Sequence, residues 1–425
     1  MINPKNPFTV GQTVPPERFV GRKYEINSTF AQIANRGHMA IWGSSGMGKS
    51  SLLEVLKSPE VWQKRGLDPS AAIIVYFSCL SIEPFLASKF WQEILNLLAE
   101  KFQKDASLSS EINTLLAKPE INKDDLRQAL RLIGKQNKYL VLLVDDYDVV
   151  MRENSQYKAE NIENFLGECR SLAHNSGEQK YLSMIVTSLR RLNEIGPTLT
   201  PGKSPWYNHY AFLQLKPLKE QEVVNILSGL PMTPKLRDGI REIADSNPTL
   251  LQNAGFILYN KLQSQEPHNV KTFAKDFLAA TEHFFQDTWE LSTEEEQAIL
   301  MLIALSRLKG RLPKTKKRYD LGNIDIIFSQ KEQKLNDLEE RGIIISNTTE
   351  DKTIYSFASS LMEWWVIQEI KNSNDEELKN REKTFLNLMN HRQLDRVKNV
   401  IRVLWENRED VGSIVEWIYG LVSAL

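Results

Sequence analysis

A chain of 425 residues is too long for one hydrophobic core, and at roughly 150 residues per domain it divides into about three. Its 41% apolar and 25% charged residues and net charge of -1 describe an ordinary globular protein with no global pull toward nucleic acid or membrane. Two cysteines, Cys79 and Cys169, exclude a disulfide framework or zinc cluster and indicate a reducing compartment; lacking a signal segment or an apolar run of about 18 residues, the chain is expected to be cytoplasmic.

Residues 3–18 carry Pro4, Pro7, Pro15 and Pro16, which remove backbone donors and favour extended conformations, so an arm rather than a helix is expected there. It leads into Phe19-Val20-Gly21-Arg22. Beyond it, Ile26, Phe30 and Ile33 fall at helical spacing, with Gly37 as a stop signal.

In the stretch 39–54, MAIWGSSGMGKSSLLE, a short apolar run ends in a glycine-rich turn and a helix begins. Gly43, Gly46, Gly48, Lys49 and Ser50 satisfy G-x-x-x-x-G-K-[ST], the P-loop pattern, in the strand-to-helix setting it requires. Glycines let backbone N–H groups curl round phosphate oxygens, and the helix starting at Lys49 turns its positive dipole end toward them. The spacing therefore predicts that residues Gly43, Ser44, Ser45, Gly46, Met47, Gly48, Lys49, Ser50 and Ser51 cradle a nucleotide. Lys49 would reach the β- and γ-phosphates, and the Ser50 hydroxyl would serve a Mg²⁺ ion.

Ala71 to Phe77, a continuous apolar run, suits a parallel strand buried on both faces. Helices follow at 85–104 and 123–135. Leu140 to Val144 then ends in Asp145 and Asp146, a Walker B pattern that delivers a carboxylate to the strand's C-terminal edge beside the P-loop. Asp145 is the expected magnesium residue. Asp146 is placed to polarise the attacking water, one methylene shorter in reach than a glutamate, so slow hydrolysis is expected. After a helix at 159–173, Tyr181 to Ser188 reads as a strand that brings Thr187 or Ser188, with Arg190 or Arg191, to the γ-phosphate. A surface arginine pair after a strand explains the same residues equally well.

A loop at 196–210 precedes a fifth strand, Ala211 to Leu215. The pattern then turns helical, at 219–229, 234–245 and 249–262. Leu291-Ser292-Thr293 before Glu294 to Glu296 is a helix-start signature. Seven basic residues and no acid lie between Arg307 and Arg318. Helices near 322–329 and 331–341, then strands at 343–346 and 353–357, give the order of a winged helix. From Leu361 the chain reads as helical, with Trp364, Trp365, Trp405 and Trp417 as packing anchors.

Together these features resemble the STAND class of signal-transduction ATPases and its relatives, the archaeal origin-recognition-like AAA+ ATPases, over about residues 17–366. The residues that carry the resemblance are Phe19-Val20-Gly21-Arg22-x-x-Glu25, Gly43 to Ser50, Leu140 to Asp146 and Thr187-Ser188-x-Arg190. It implies an α/β fold: a P-loop NTPase core with a five-stranded parallel sheet, then a helical lid domain and a winged-helix domain. The expected divisions are an arm at 1–18, the core at 19–216, the lid at 217–288, the winged helix at 289–366 and a helical segment at 367–425. It further implies that Val20 and Arg22 lie on the base or ribose side of ATP or ADP, and that Pro248 of Ser246-Asn247-Pro248 contacts the nucleotide. In that motif the family's usual glycine is Ser246. The place of the family's M-H-D triplet holds Phe357-Ala358-Ser359, so its ADP lock is missing or differently made.

The resemblance thus implies an ATP-driven switch, with Lys49, Asp146, Thr187 and Arg190 acting on the phosphates and Ser50 and Asp145 on Mg²⁺. Its output would be homo-oligomerisation or coupling to a separate effector protein, with no membrane partner. The alternative is a winged-helix DNA-binding AAA+ ATPase. DNA is not favoured, because Glu332, Asp337, Glu339 and Glu340 crowd the expected recognition helix.

Overall fold

The computed structural model describes residues 6–174, 177–197, 204–230, 233–244, 246–264, 270–308, 319–349 and 353–407. The chain divides into two compact units. One comprises Thr13–Ser44 and Gly48–Leu215; the other comprises Met1–Gln12, Ser45–Met47 and Lys216–Leu425.

The first unit is built on five parallel strands, β1 (His38–Trp42), β2 (Ala72–Ser78), β3 (Tyr139–Asp145), β4 (Leu182–Ser188) and β5 (Tyr210–Gln214), in the order β2-β3-β4-β1-β5. Every residue of β1, β3 and β4 is buried, so the apolar segments 39–42, 140–144 and 184–186 show no polar alternation, while Ser183, Thr187 and Ser188 of β4 are polar residues buried with them. β2 departs from the expectation of burial on both faces. It is an edge strand in which buried and half-buried residues alternate, so its apolar run reports one covered face and one partly covered one. Register aligns the strand ends, pairing Trp42 with Ser188 and Ser78 with Asp145. The turns that follow β1, β3 and β4 therefore share one edge of the sheet, where ligands bind in open α/β folds.

Helices at Pro59–Gln63 and Ala106–Leu116 have no counterpart in the sequence reading. The second is capped by Asp105, whose carboxylate accepts from Leu108 N. Its serines and asparagine dilute the apolar spacing that would otherwise betray it.

The second unit is helical, with its own core. Glu294–Leu308 is central to it, and Ala298 to Leu305 are all buried. Its start is the expected capping box: Thr293 N donates to Glu296 Oε2 at 2.8 Å, and Glu296 N to Thr293 Oγ1 at 3.3 Å. The buried Glu296 also receives Arg341 Nη1 at 3.1 Å. Helices Ile324–Gln330 and Glu332–Glu340 precede an antiparallel pair, β6 (Ile344–Thr348) and β7 (Thr353–Phe357). Four more helices run from Ser360 to Glu406. Of the basic stretch, Lys309 to Arg318 lies outside the described residues, as does Trp417.

The arm contributes to this second core. Phe8 is 5% exposed, and a Cβ on Gly255 would stand 2.2 Å from its ring. Asn6 Nδ2 donates to Phe256 O at 3.2 Å, and Thr9 N to Gln252 Oε1 at 2.9 Å. A glycine inside a helix costs about 1 kcal/mol relative to alanine; here it makes the seat for an aromatic ring. Among the described residues no helix is long and apolar enough to cross a membrane.

Candidate functional site

The site begins where β1 ends. Gly43 N donates to Ser188 O at 3.2 Å, tying the loop to β4. Gly46 (φ 79°) and Gly48 (φ 86°) then adopt the left-handed conformation that other residues resist, and Gly48 caps the helix Lys49–Lys57. The first amides of that helix have no intrahelical acceptor and point out of its N-terminus. Lys49 is buried and donates to Gly43 O at 2.7 Å and Ser44 O at 3.1 Å. Burial pulls its pKa down, opposed by Asp145, Asp148 and Asp146. Ser50 is half-buried beside it. The Ser51 hydroxyl accepts from Val14 N at 3.0 Å, which occupies it within the protein.

The tip of the loop, Ser45, Gly46 and Met47, groups with the second unit. Asn247 Nδ2 donates to Ser45 O at 3.2 Å, and Thr249 donates to Gly46 O through its backbone N at 3.2 Å and its hydroxyl at 2.9 Å. Asn247 Oδ1 also accepts from Thr249 N and Leu250 N at 3.0 and 3.2 Å, capping the helix that Pro248 opens. Ser246, where the related motif carries glycine, sits at φ 56°. Met47 is buried.

At the end of β3, Asp145 is 3% exposed. The Thr187 hydroxyl donates to Asp145 Oδ1, while Asp146 N donates to Asp145 Oδ1 at 3.2 Å and to Thr187 Oγ1 at 3.3 Å. This arrangement follows from strand order: β4 lies between β1 and β3, so Thr187 stands between the P-loop strand and the acidic pair. Asp146 takes a left-handed backbone, φ 52°, which turns its side chain to accept from Ser78 Oγ at 2.6 Å. Its carboxyl is shifted upward by burial and by the neighbouring Asp145 and Asp148, against the Ser78 hydrogen bond and Lys49.

Not all the expected residues converge. The Ser188 hydroxyl is used on Arg190 O at 2.7 Å, and the Arg190 guanidinium lies 3.9 Å from Glu194. Arg191 stacks over Phe212. Val20 is half-buried just ahead of Arg22, which is buried, left-handed (φ 57°) and 3.3 Å from Glu25. The helix this turn opens, Lys23–Ala34, packs on β1, β4 and the Lys49 helix.

Sequence reasoning missed Ser78, Asp148, Asn247 and Thr249. Ser78 ends a strand whose pairing places it opposite Asp145, and only the register reveals that. Asp148 lies in the turn after β3, held by Arg152 at 2.6 Å. Asn247 was visible as the polar residue before Pro248, the signature of a helix cap, but its amide's second contact was not.

The Novel STAND NTPase 1 (nSTAND1) family model matches residues 11–227, just over half of the chain. The chain belongs to the nSTAND1 family. The matched span of this nSTAND1 NTPase holds the P-loop, the acidic pair and Thr187. Among solved structures, it is similar to the Walker-type ATPase PABY2304 of Pyrococcus abyssi, at 16% identity and a TM-score of 0.53, over 85% of this chain and 99% of that one. It is also similar to the ORC2 protein of Aeropyrum pernix in its ADPNP–ADP complexes, at 14% identity and a TM-score of 0.51, over 95% and 99%. At such identities the likeness bears on the fold: a P-loop NTPase core of α/β type followed by a helical region. No curated protein matches the sequence.

Proposed function

We propose that this nSTAND1 protein is an ATP-binding, slowly hydrolysing switch whose nucleotide state is coupled to self-association or to a partner effector. The observation that carries this reading is the meeting of Gly43, Lys49, Asp145, Asp146 and Thr187 at one sheet edge. Gly48 supports a phosphate cradle, because its left-handed backbone leaves the helix amides uncrowded and nothing lies within 4 Å of where a Cβ would be. Lys49, held by carbonyls of its own loop, would exchange them for phosphate oxygens. Ser50 and Asp145 are hard oxygen donors suited to Mg²⁺, which would supply charge neutralisation between phosphates.

Asp146 supports the choice of a switch over a motor. Its carboxylate is half-buried, hydrogen-bonded by Ser78 and one methylene shorter than glutamate. Binding rather than turnover then does the work, and a ligand shifts such an equilibrium only through differential affinity for its two states. The order of helices and strands from Glu294 to Phe357 supports a winged-helix reading. Its third helix, Glu332–Glu340, holds four acids against Lys334 alone, which favours a protein partner over DNA.

The test is solution mass by light scattering with ADP and with a non-hydrolysable ATP analogue, using Lys49→Ala as control. A mass that rises with the analogue, and not in the variant, is expected for a self-assembling switch. Undiminished nucleotide affinity in Lys49→Ala would overturn the site itself.

A further inference from the structure

Within the second unit, a cleft of about 340 Å³ is lined from the end of Val270–Glu290, from Glu294–Leu308, and from the helices Ser360–Asn372 and Asp375–Asn380 with Arg381. This volume lies at the small end of the range for small-molecule sites, about 300–1,000 Å³. Its apolar floor is Trp289 and Met301, both buried. The Arg381 guanidinium lies over the Trp289 ring, 5.3 Å from its centroid, and donates to Gln297 Oε1 at 2.9 Å. Its other described polar contact is the Met301 sulfur at 4.0 Å. Among the described residues it forms no ion pair.

Facing it, Glu369 is half-buried, and no described residue donates to its carboxylate. Burial lifts its pKa, with Arg381 opposing and Glu377 adding to the rise. A guanidinium and a carboxylate thus share one cleft, sensing each other without pairing. Arginine presents a fork of donors that fits a carboxylate. A partly desolvated carboxylate without a donor is costly until a cation satisfies it. The lining carries Glu294, Glu369 and Glu377 against Arg381, so a second positive charge on a ligand is also accommodated.

We propose that this cleft binds a free amino acid with a cationic side chain. Arg381 takes the α-carboxylate, Glu369 takes an ammonium group, and the aliphatic chain lies on Trp289 and Met301. The site is separate from the P-loop residues, so its test does not depend on nucleotide.

L-lysine is titrated by calorimetry into the 425-residue chain without nucleotide, alongside cadaverine, which keeps both amines and lacks the carboxylate. Saturable binding of L-lysine is expected, with cadaverine about tenfold weaker. Arg381→Gln should weaken L-lysine about tenfold and leave cadaverine unchanged, whereas Glu369→Gln should weaken both. No saturable binding up to about 10 mM L-lysine overturns the proposal. Equal binding of the two probes overturns it as well, as does wild-type affinity in a Glu369→Gln protein with an unchanged urea midpoint. Should Arg381→Gln fail to fold, the probe comparison on the wild-type chain and Glu369→Gln still decide the matter.

Discussion

Replacing Thr187 by valine keeps the shape of the β4 side chain and removes its hydroxyl. That hydroxyl donates to the buried Asp145 carboxylate and accepts from Asp146 N at 3.3 Å. A hydrogen bond to a charged group contributes about 1.5–3 kcal/mol. One contact survives the change, because Asp146 N still reaches Asp145 Oδ1 at 3.2 Å, so neither group is wholly orphaned. The expected loss is therefore about 2 kcal/mol, in the middle of that range. With a urea slope of about 2 kcal/mol/M this moves the unfolding midpoint by ~1 M, without changing the slope. The assay is urea denaturation followed by circular dichroism, with Thr187→Ser as control. Serine keeps the donor and loses one methyl group, which costs about 1 kcal/mol. A Thr187→Val protein within ~0.5 kcal/mol of wild type, or serine as damaging as valine, would refute the view that this hydroxyl is committed to Asp145.

Three further outcomes are expected. His38 and His209 are buried and held neutral, with pKa values brought down to about 4 and about 3 by burial and then by neighbouring histidines, His174 among them; Arg170 also acts on His209. The unfolded chain protonates both near 6.5, so stability is full above that pH and falls as pH drops toward 4, by up to about 1.4 kcal/mol per pH unit for each ring. Urea midpoints from pH 7 to 5 should show this, flattened in His209→Phe; an equal slope in the variant would remove His209 as a source. Asn247→Ala should cost about 1–2 kcal/mol as the cap of the Pro248 helix and the Ser45 contact are lost, while Asn247→Asp keeps the cap. Equal losses in the two would show that only the amide donor matters. Phe8→Ala should cost about 3 kcal/mol and hasten proteolysis of the second unit, and unchanged protease resistance would refute the seating of the arm.

The sequence is most legible where backbone chemistry is obligatory. Gly46, Gly48 and Lys49 at fixed spacing after an apolar run require one local geometry, and the fully buried β1, β3 and β4 announce themselves by composition. What depends on long-range pairing is not legible. Ser78 gains its meaning only when β2 lies beside β3, and Thr187 only when β4 intervenes between β1 and β3. Asn247 and Thr249 lie about 200 residues from the loop whose carbonyls they hold, beyond any motif. The arm shows the same limit. Its prolines exclude a helix but say nothing of the groove at Gly255 that receives Phe8.

That groove has a consequence for biosynthesis. Gly255 follows Phe8 from the ribosome roughly 250 residues later, a delay of about 12–50 s at ~5–20 residues per second. During that interval the nascent first unit can complete its sheet, while the aromatic ring that belongs to the other unit's core waits in solvent. The chain therefore closes its second core with residues made well before the rest of it, and a hydrophobic side chain on the waiting arm is a natural contact for a chaperone.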